Sequence, residues 1–246
     1  MIPLKDNIPT GRFPFVTAAL VAINFIVYLL AIRHGGSFFS GPSALEEFKY
    51  GAIPYALTHP GVHCAEVVRQ TLSGPGSPMV LCNTAQLNAS HIAAENPLPV
   101  WETAFTMMFM HASIIHIGGN MIFLWIFGDN VEHAMGRVKY LAFYLVGGLV
   151  AIGLQVAVAP DSTAPTLGAS GAIAAVLGAY IVLYPRAKVL TVVFIIFIFT
   201  VIELPAWVLL GIWFAEQAVF GAAGLTDPTG GGSGVAYFAH VGGFAF

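Results

Sequence analysis

Charge is the scarcest commodity in this chain. Of 246 residues only 9% are Asp, Glu, Lys or Arg, against 57% hydrophobic, and the mean hydropathy is +0.82. A soluble domain carries about 25% charged residues, so a free-standing soluble globule is excluded. The formal net charge is -3. That leaves no basic excess to meet phosphates, and nucleic acid is excluded as a partner. No inverted repeat is visible, which argues against a small transporter built from paired halves. The first apolar run follows Lys5, Asp6 and Arg12 and lacks a small-residue cleavage site. It therefore reads as a retained span and not as a removed signal peptide. What remains is a polytopic membrane protein, expected to be one integrated domain over residues 1–246.

Pro14 to Ile32 is the first span, about 19 residues, enough for a ~30 Å hydrocarbon core. From about 34 to 100 the composition turns to Gly, Pro, Ser, Asn and scattered charge. That is a long outer loop, and loops of this length carry function or small elements of their own. Further spans are expected at about Ile114–Phe127 and Tyr140–Ala159, with Asp129–Lys139 as a polar hairpin between them. The next, from Thr166, ends at Tyr184-Pro185. Glu203 is expensive in hydrocarbon and Pro205 cannot donate inside a helix, so they divide the run Val189–Gly221. We place a single span at about Ala206–Phe220 and leave Val189–Thr200 as extended or interfacial. After the Gly-rich Thr229–Gly234 comes a last apolar stretch, Val235–Phe246. Its roughly 12 residues rise about 18 Å, too little to cross a bilayer, so the native chain is expected to continue beyond Phe246.

Basic residues orient the bundle. Lys5, Arg12, Arg137, Lys139, Arg186 and Lys188 fall on the N-terminal side, and only Arg33, Lys49 and Arg69 on the other. Six against three follows the positive-inside rule. A cytoplasmic N-terminus in the plasma membrane is expected. The two cysteines, Cys64 and Cys82, both lie in the outer loop. Three readings stand open for them: a disulfide in an oxidising compartment, free thiols, or a metal site with His59, His63 and His91.

Polar residues inside the spans carry the functional signal. Ser170 opens a small-residue helix in which Ser170, Ala174 and Gly178 share a strip at i, i+4 spacing. Such a strip admits a neighbouring helix at close range. His240, beside Ala239 and followed by Gly243, has a matching strip. A serine needs a base within hydrogen-bond reach, and His240 is the candidate. His116 and Asn120 share one helix face and offer donors to an oxyanion, as does the Ser170 N–H at a helix start. The helices of Asn120, Ser170 and His240 all run outside to inside, so their starts lie at one depth. The bland alternative is a set of helix–helix packing contacts. A Gly-x-Ser-x-Gly elbow fails because Ala172 stands where its second glycine belongs. A metal cluster of His111, His116 and His240 lacks an acidic or thiolate ligand.

Together these pieces resemble the rhomboid family of intramembrane serine proteases. The matching segments are Gly168-Ala169-Ser170-Gly171 with Gly178, His111-x4-His116-x3-Asn120, Gly128-x3-Glu132-x3-Gly136, and Ala239-His240-x2-Gly243. The resemblance implies an all-α six-transmembrane-helix bundle with a long loop between helices 1 and 2. It implies a catalytic Ser170/His240 dyad, an oxyanion site at His116, Asn120 and Ser170, and no cofactor or metal. Partners would be the lipid bilayer and transmembrane protein substrates. Glu132 and His111 would be structural, bracing the inner hairpin and the outer loop. Two departures are evident. Glu102 follows Trp101 where an arginine is common, and Ala174 stands where some members place a tyrosine beneath the base. The alternative is a proteolytically inactive rhomboid-like protein that binds membrane clients.

Overall fold

Apolar runs of this chain coil into helices, while its β-branched run pairs as strands. The computed structural model describes residues 1–71, 74–82, 98–195, 198–225 and 235–246; His91 and Thr229–Gly234 lie outside them. In order come β1 (Ile2–Asp6), α1 (Phe15–Ala31), α2 (Ala44–Tyr50), α3 (Pro54–Thr58), β2 (Ala65–Thr71) and β3 (Gly74–Leu81). They are followed by α4 (Val100–Thr106), a 3-10 turn (Met107–Phe109), α5 (Ile114–Met135), α6 (Arg137–Val158) and α7 (Ser170–Leu183). β4 (Lys188–Ile195), β5 (Ile198–Pro205), α8 (Ala206–Leu225) and α9 (Tyr237–Ala245) complete the chain. Helices α5, α6 and α8 are long and apolar enough to cross a membrane, and α1 and α7 are shorter apolar helices. Ile26 and Leu30 on α1, Val146 and Val150 on α6, and Trp207 and Val219 on α8 stand exposed. Lipid tails tolerate such a surface where water does not.

The expectation of an all-α protein needs correcting: the fold is mostly helical but holds two antiparallel sheets. β4 and β5 form a hairpin in unbroken register from Lys188↔Pro205 to Ile195↔Ile198. Val189–Thr200 is thus extended where described, as its Val, Ile, Thr and Phe content favours. Glu203 is answered across the hairpin by Lys188, at 3.4 Å, and Pro205 ends β5. β1 adds to the free edge of β4, with a bulge between Pro3 and Lys5. Among its described residues the run Val189–Gly221 therefore contains one helix, α8.

A second correction concerns Asp129–Lys139. No polar hairpin forms; α5 runs on to Met135, and α6 follows directly after Gly136, whose φ is +78°. The reason lies in where the polar groups of this turn are used. The Glu132 carboxylate accepts from Val16 N at 3.0 Å, Thr17 N at 2.8 Å and Thr17 Oγ1 at 2.9 Å. A helix start carries unpaired N–H groups and partial positive charge, so a carboxylate from α5 caps α1. Nearby, Asn130 Nδ2 donates to Asp6 Oδ2 at 2.7 Å, and the Tyr180 hydroxyl donates to the same oxygen. Burial pushes the Asp6 carboxyl above its ordinary value, and the Tyr180 bond opposes that shift. These bonds tie β1, α5 and α7 at one end of the bundle.

The loop between α1 and α4 is built, not bare. Cys64 and Cys82 form a disulfide that staples the β2–β3 hairpin. They bury against Phe48, Ile53 and Ala56. The pairing consumes the thiolates on which the metal reading depended. Ala52 and Thr166 exchange backbone hydrogen bonds at 3.0 and 2.8 Å, and Tyr55 N reaches Ser162 O at 2.9 Å. The loop is thereby anchored to the segment that leads into α7.

Replacing Glu132 with Ala leaves three donors at the start of α1 without their acceptor. We expect a loss of about 3 kcal/mol, seen as a lowered thermal midpoint in detergent micelles, with Glu132→Gln intermediate. An unchanged midpoint in the Ala variant would contradict the capping role.

Candidate active site

Gly168 sets the geometry of the serine. Its φ of +118° is open to glycine at little cost, and its N–H donates to Met107 O at 2.9 Å. A Cβ there would fall 2.8 Å from His116 Nε2, so glycine is required by backbone and by neighbour alike. Two residues on, Ser170 begins α7. The N–H groups of that first turn have no acceptor within the helix. His111, fully buried, lies behind with Nε2 3.5 Å from Ala169 N, its ring edge-on to His116 at 5.0 Å. It braces the residue before the serine from the other side.

From Gly171 to Gly178 every residue of α7 is buried. Its small side chains let α9 approach backbone to backbone. A Cβ on Gly243 would overlap the Gly171 carbonyl, and one on Gly178 would overlap the Phe244 carbonyl. A Cβ on Gly242 would meet Leu154 of α6 at 2.8 Å. The nine-residue α9 is thus wedged between α6 and α7, and this fixes the ring of His240. Its Nε2 stands 2.7 Å from Ser170 Oγ.

α5 brings the other two predicted residues. Ser113 caps the helix, its hydroxyl accepting from His116 N at 3.2 Å. That cap fixes the helix start nearly two turns before Asn120. Ser170, His240, His116, Asn120 and Gly168 line one cavity of about 600 Å³. Among the described residues, Asn120 Nδ2 is buried without an acceptor. An unpaired buried donor is costly, and its position on the cavity wall gives it a use if a negative oxygen enters. Glu47 of α2 is the one charged side chain among the described residues lining the cavity. Burial, and then the charge of Glu66, raise its carboxyl above the ordinary value.

All four residues singled out from the sequence therefore share one cavity. Two others escaped that reading. Gln217 Oε1 lies 2.7 Å from His240 Nδ1, and the Trp213 ring is centred 5.8 Å from the imidazole. Both belong to α8. Their signal was present: Trp213, Gln217 and Gly221 recur at i, i+4 and i+8, one face of a helix. What the sequence does not show is that this face of α8 meets His240.

Chemically, a hydroxyl in contact with an imidazole, beside donors that lack an acceptor, is the layout of nucleophile, base and oxyanion site. Gly243→Ala tests whether close packing sustains it. A displacement of about 1 Å costs about 100-fold in rate, so labelling of Ser170 by a fluorophosphonate probe is expected to slow by that order. Gly153→Ala, whose new Cβ meets nothing within 4 Å, serves as the neutral control. Equal labelling in both variants would contradict the packing argument.

Comparison with known proteins points to one family. The Rhomboid domain model matches residues 99–246, which contain α4 to α9. The zebrafish (Danio rerio) presenilin-associated rhomboid-like protein A, mitochondrial, is 39% identical over 82 residues, 32% of this chain and 21% of its own. The mouse (Mus musculus) presenilin-associated rhomboid-like protein, mitochondrial, is 33% identical over 94 residues, 37% of this chain and 25% of its own. Rhomboid protein 1, mitochondrial, of Saccharomyces cerevisiae is 34% identical over 90 residues, 35% and 26% respectively. The matched stretch is thus about a quarter of each relative's length. With a domain match over more than half its residues, the chain belongs to the rhomboid family.

Proposed function

We propose that this protein is an intramembrane serine endopeptidase that hydrolyses peptide bonds in or near transmembrane segments of membrane-protein substrates. The observation that carries the reading is the 2.7 Å approach of Ser170 Oγ to His240 Nε2, on a cavity wall shared with an unpaired Asn120 amide. In this mechanism the Ser170 hydroxyl donates to Nε2. As Oγ attacks the scissile carbonyl, the proton passes to the imidazole, and the carbonyl oxygen takes up the negative charge. Asn120 Nδ2, a ring N–H of His116 and the Ser170 N–H hold that oxyanion. Collapse expels the amine, which takes the proton back from His240. Water then enters, gives its proton to Nε2 and releases the acyl group from Ser170 by the same steps. No cofactor takes part.

Family membership and the exposed apolar faces of the bundle support this substrate class. A helix must unwind before its carbonyl reaches Ser170, so small or helix-breaking residues near the cut are favoured. We further infer one membrane domain over residues 1–246, with the N-terminus cytoplasmic and the α1–α4 loop outside, in the plasma membrane. The basic-residue bias and the Cys64–Cys82 disulfide support that orientation; the word "mitochondrial" in the relatives' names describes those proteins. An inactive client-binding relative would be expected to lack the serine or the histidine, and here both are present.

Ser170→Ala and His240→Ala should each abolish cleavage of a reporter transmembrane substrate while still inserting. Asn120→Ala should lower kcat by about 100-fold or more, the size of a lost oxyanion donor, with little change in KM. Retained cleavage in the Ser170 or His240 variant would refute the assignment.

A further inference from the structure

We infer that Gln217 is a positioning residue for the base, holding His240 in the one tautomer that can accept a proton from Ser170. This inference rests on the serine-protease reading above. A neutral imidazole has one donor nitrogen and one acceptor nitrogen. Nε2 faces Ser170 Oγ at 2.7 Å and must be the acceptor if the hydroxyl is to lose its proton. The ring proton then sits on Nδ1, where it needs an acceptor. Gln217 Oε1 lies 2.7 Å away, from a side chain that is itself buried. The Nδ1–H therefore donates to the amide oxygen. The opposite amide orientation would aim N–H at Nδ1, put the ring proton on Nε2 and leave Ser170 facing a donor.

The rest of α8 supports the same ring. Trp213, one turn before Gln217, lies against the imidazole at 5.8 Å between centroids, tilted by 36°. Gly221, one turn after, makes room for α9: a Cβ there would stand 3.2 Å from Tyr237 Cβ. One helix face thus supplies a wall, a hydrogen bond and clearance, in that order. α7 supplies no such support, since Ala174, one turn beyond Ser170, ends in a methyl group. An amide also suits the depth. It accepts from the imidazole, and its oxygen favours the imidazolium that forms during attack.

The test compares Gln217→Met, which keeps length and loses the acceptor, with Gln217→Glu, which keeps an oxygen at the same reach. Both are assayed as the full chain in detergent micelles, for reporter cleavage and for fluorophosphonate labelling of Ser170. We expect kcat to fall about tenfold in the Met variant, the scale of one hydrogen bond, with KM unchanged. The Glu variant should stay within about threefold of the unsubstituted chain. Full kcat in the Met variant, or equal losses in Met and Glu, would overturn the inference and mark Gln217 as packing alone. If the Met variant does not fold, Gln217→Asn replaces it: one methylene shorter, it should lose what Glu keeps. An unsubstituted chain that neither cleaves nor labels would overturn the protease reading itself, and this inference with it.

Discussion

Everything in the site depends on two helix backbones lying almost in contact. Where Gly243 meets the Gly171 carbonyl and Gly178 meets the Phe244 carbonyl, no side chain separates α7 from α9. Between apolar helices in lipid there is no hydrophobic drive to associate, so the closeness of packing decides the geometry. Glycine and alanine cost helix propensity, yet here they place a hydroxyl and an imidazole from residues 70 apart at 2.7 Å. A larger side chain on either strip would improve local propensity and separate the hydroxyl from the imidazole.

That contact is sustained from both ends of the bundle. At one end, Glu132 caps α1 and Asp6 receives Asn130 and Tyr180. Tyr180 lies on the same helix as Ser170, ten residues on, so its bond to Asp6 ties strand β1 to the helix of the serine. At the other end, the Ala52–Thr166 pairing and the Tyr55–Ser162 bond fix the approach to Gly168. Most of the few carboxylates this chain carries inside the bundle are thus spent on helix ends and strand docking. Among the described residues the cavity wall carries Glu47 as its single carboxylate.

Much of this was legible from residue type and spacing. Small strips around Ser170 and Gly243, the His116–Asn120 face and the single helix after Pro205 all obey a period of 3.6, and helices keep that period in any surroundings. Less legible were groups whose meaning depends on a distant partner. Nothing in Asp129–Lys139 announces that Glu132 will cap a helix that begins at Phe15, so the segment looked like a polar turn. β1 is a strand because β4 offers it an edge. Gln217 is an unremarked polar residue in an apolar span until His240 arrives against it from α9.

The division of labour among the helices then has a physical cause. α5, α7 and α9 each begin at the same end of the bundle, where Ile115, Ser170 and Ala236 line the cavity. Of the three, the start of α7 keeps first-turn N–H groups without an acceptor inside the helix, and it faces the cavity through Ser170. α8 runs the other way and cannot add a helix start there. It contributes from its middle instead, where Trp213 and Gln217 reach His240 from behind. The imidazole is thus held on the face away from the serine, and its open nitrogen is left to the hydroxyl.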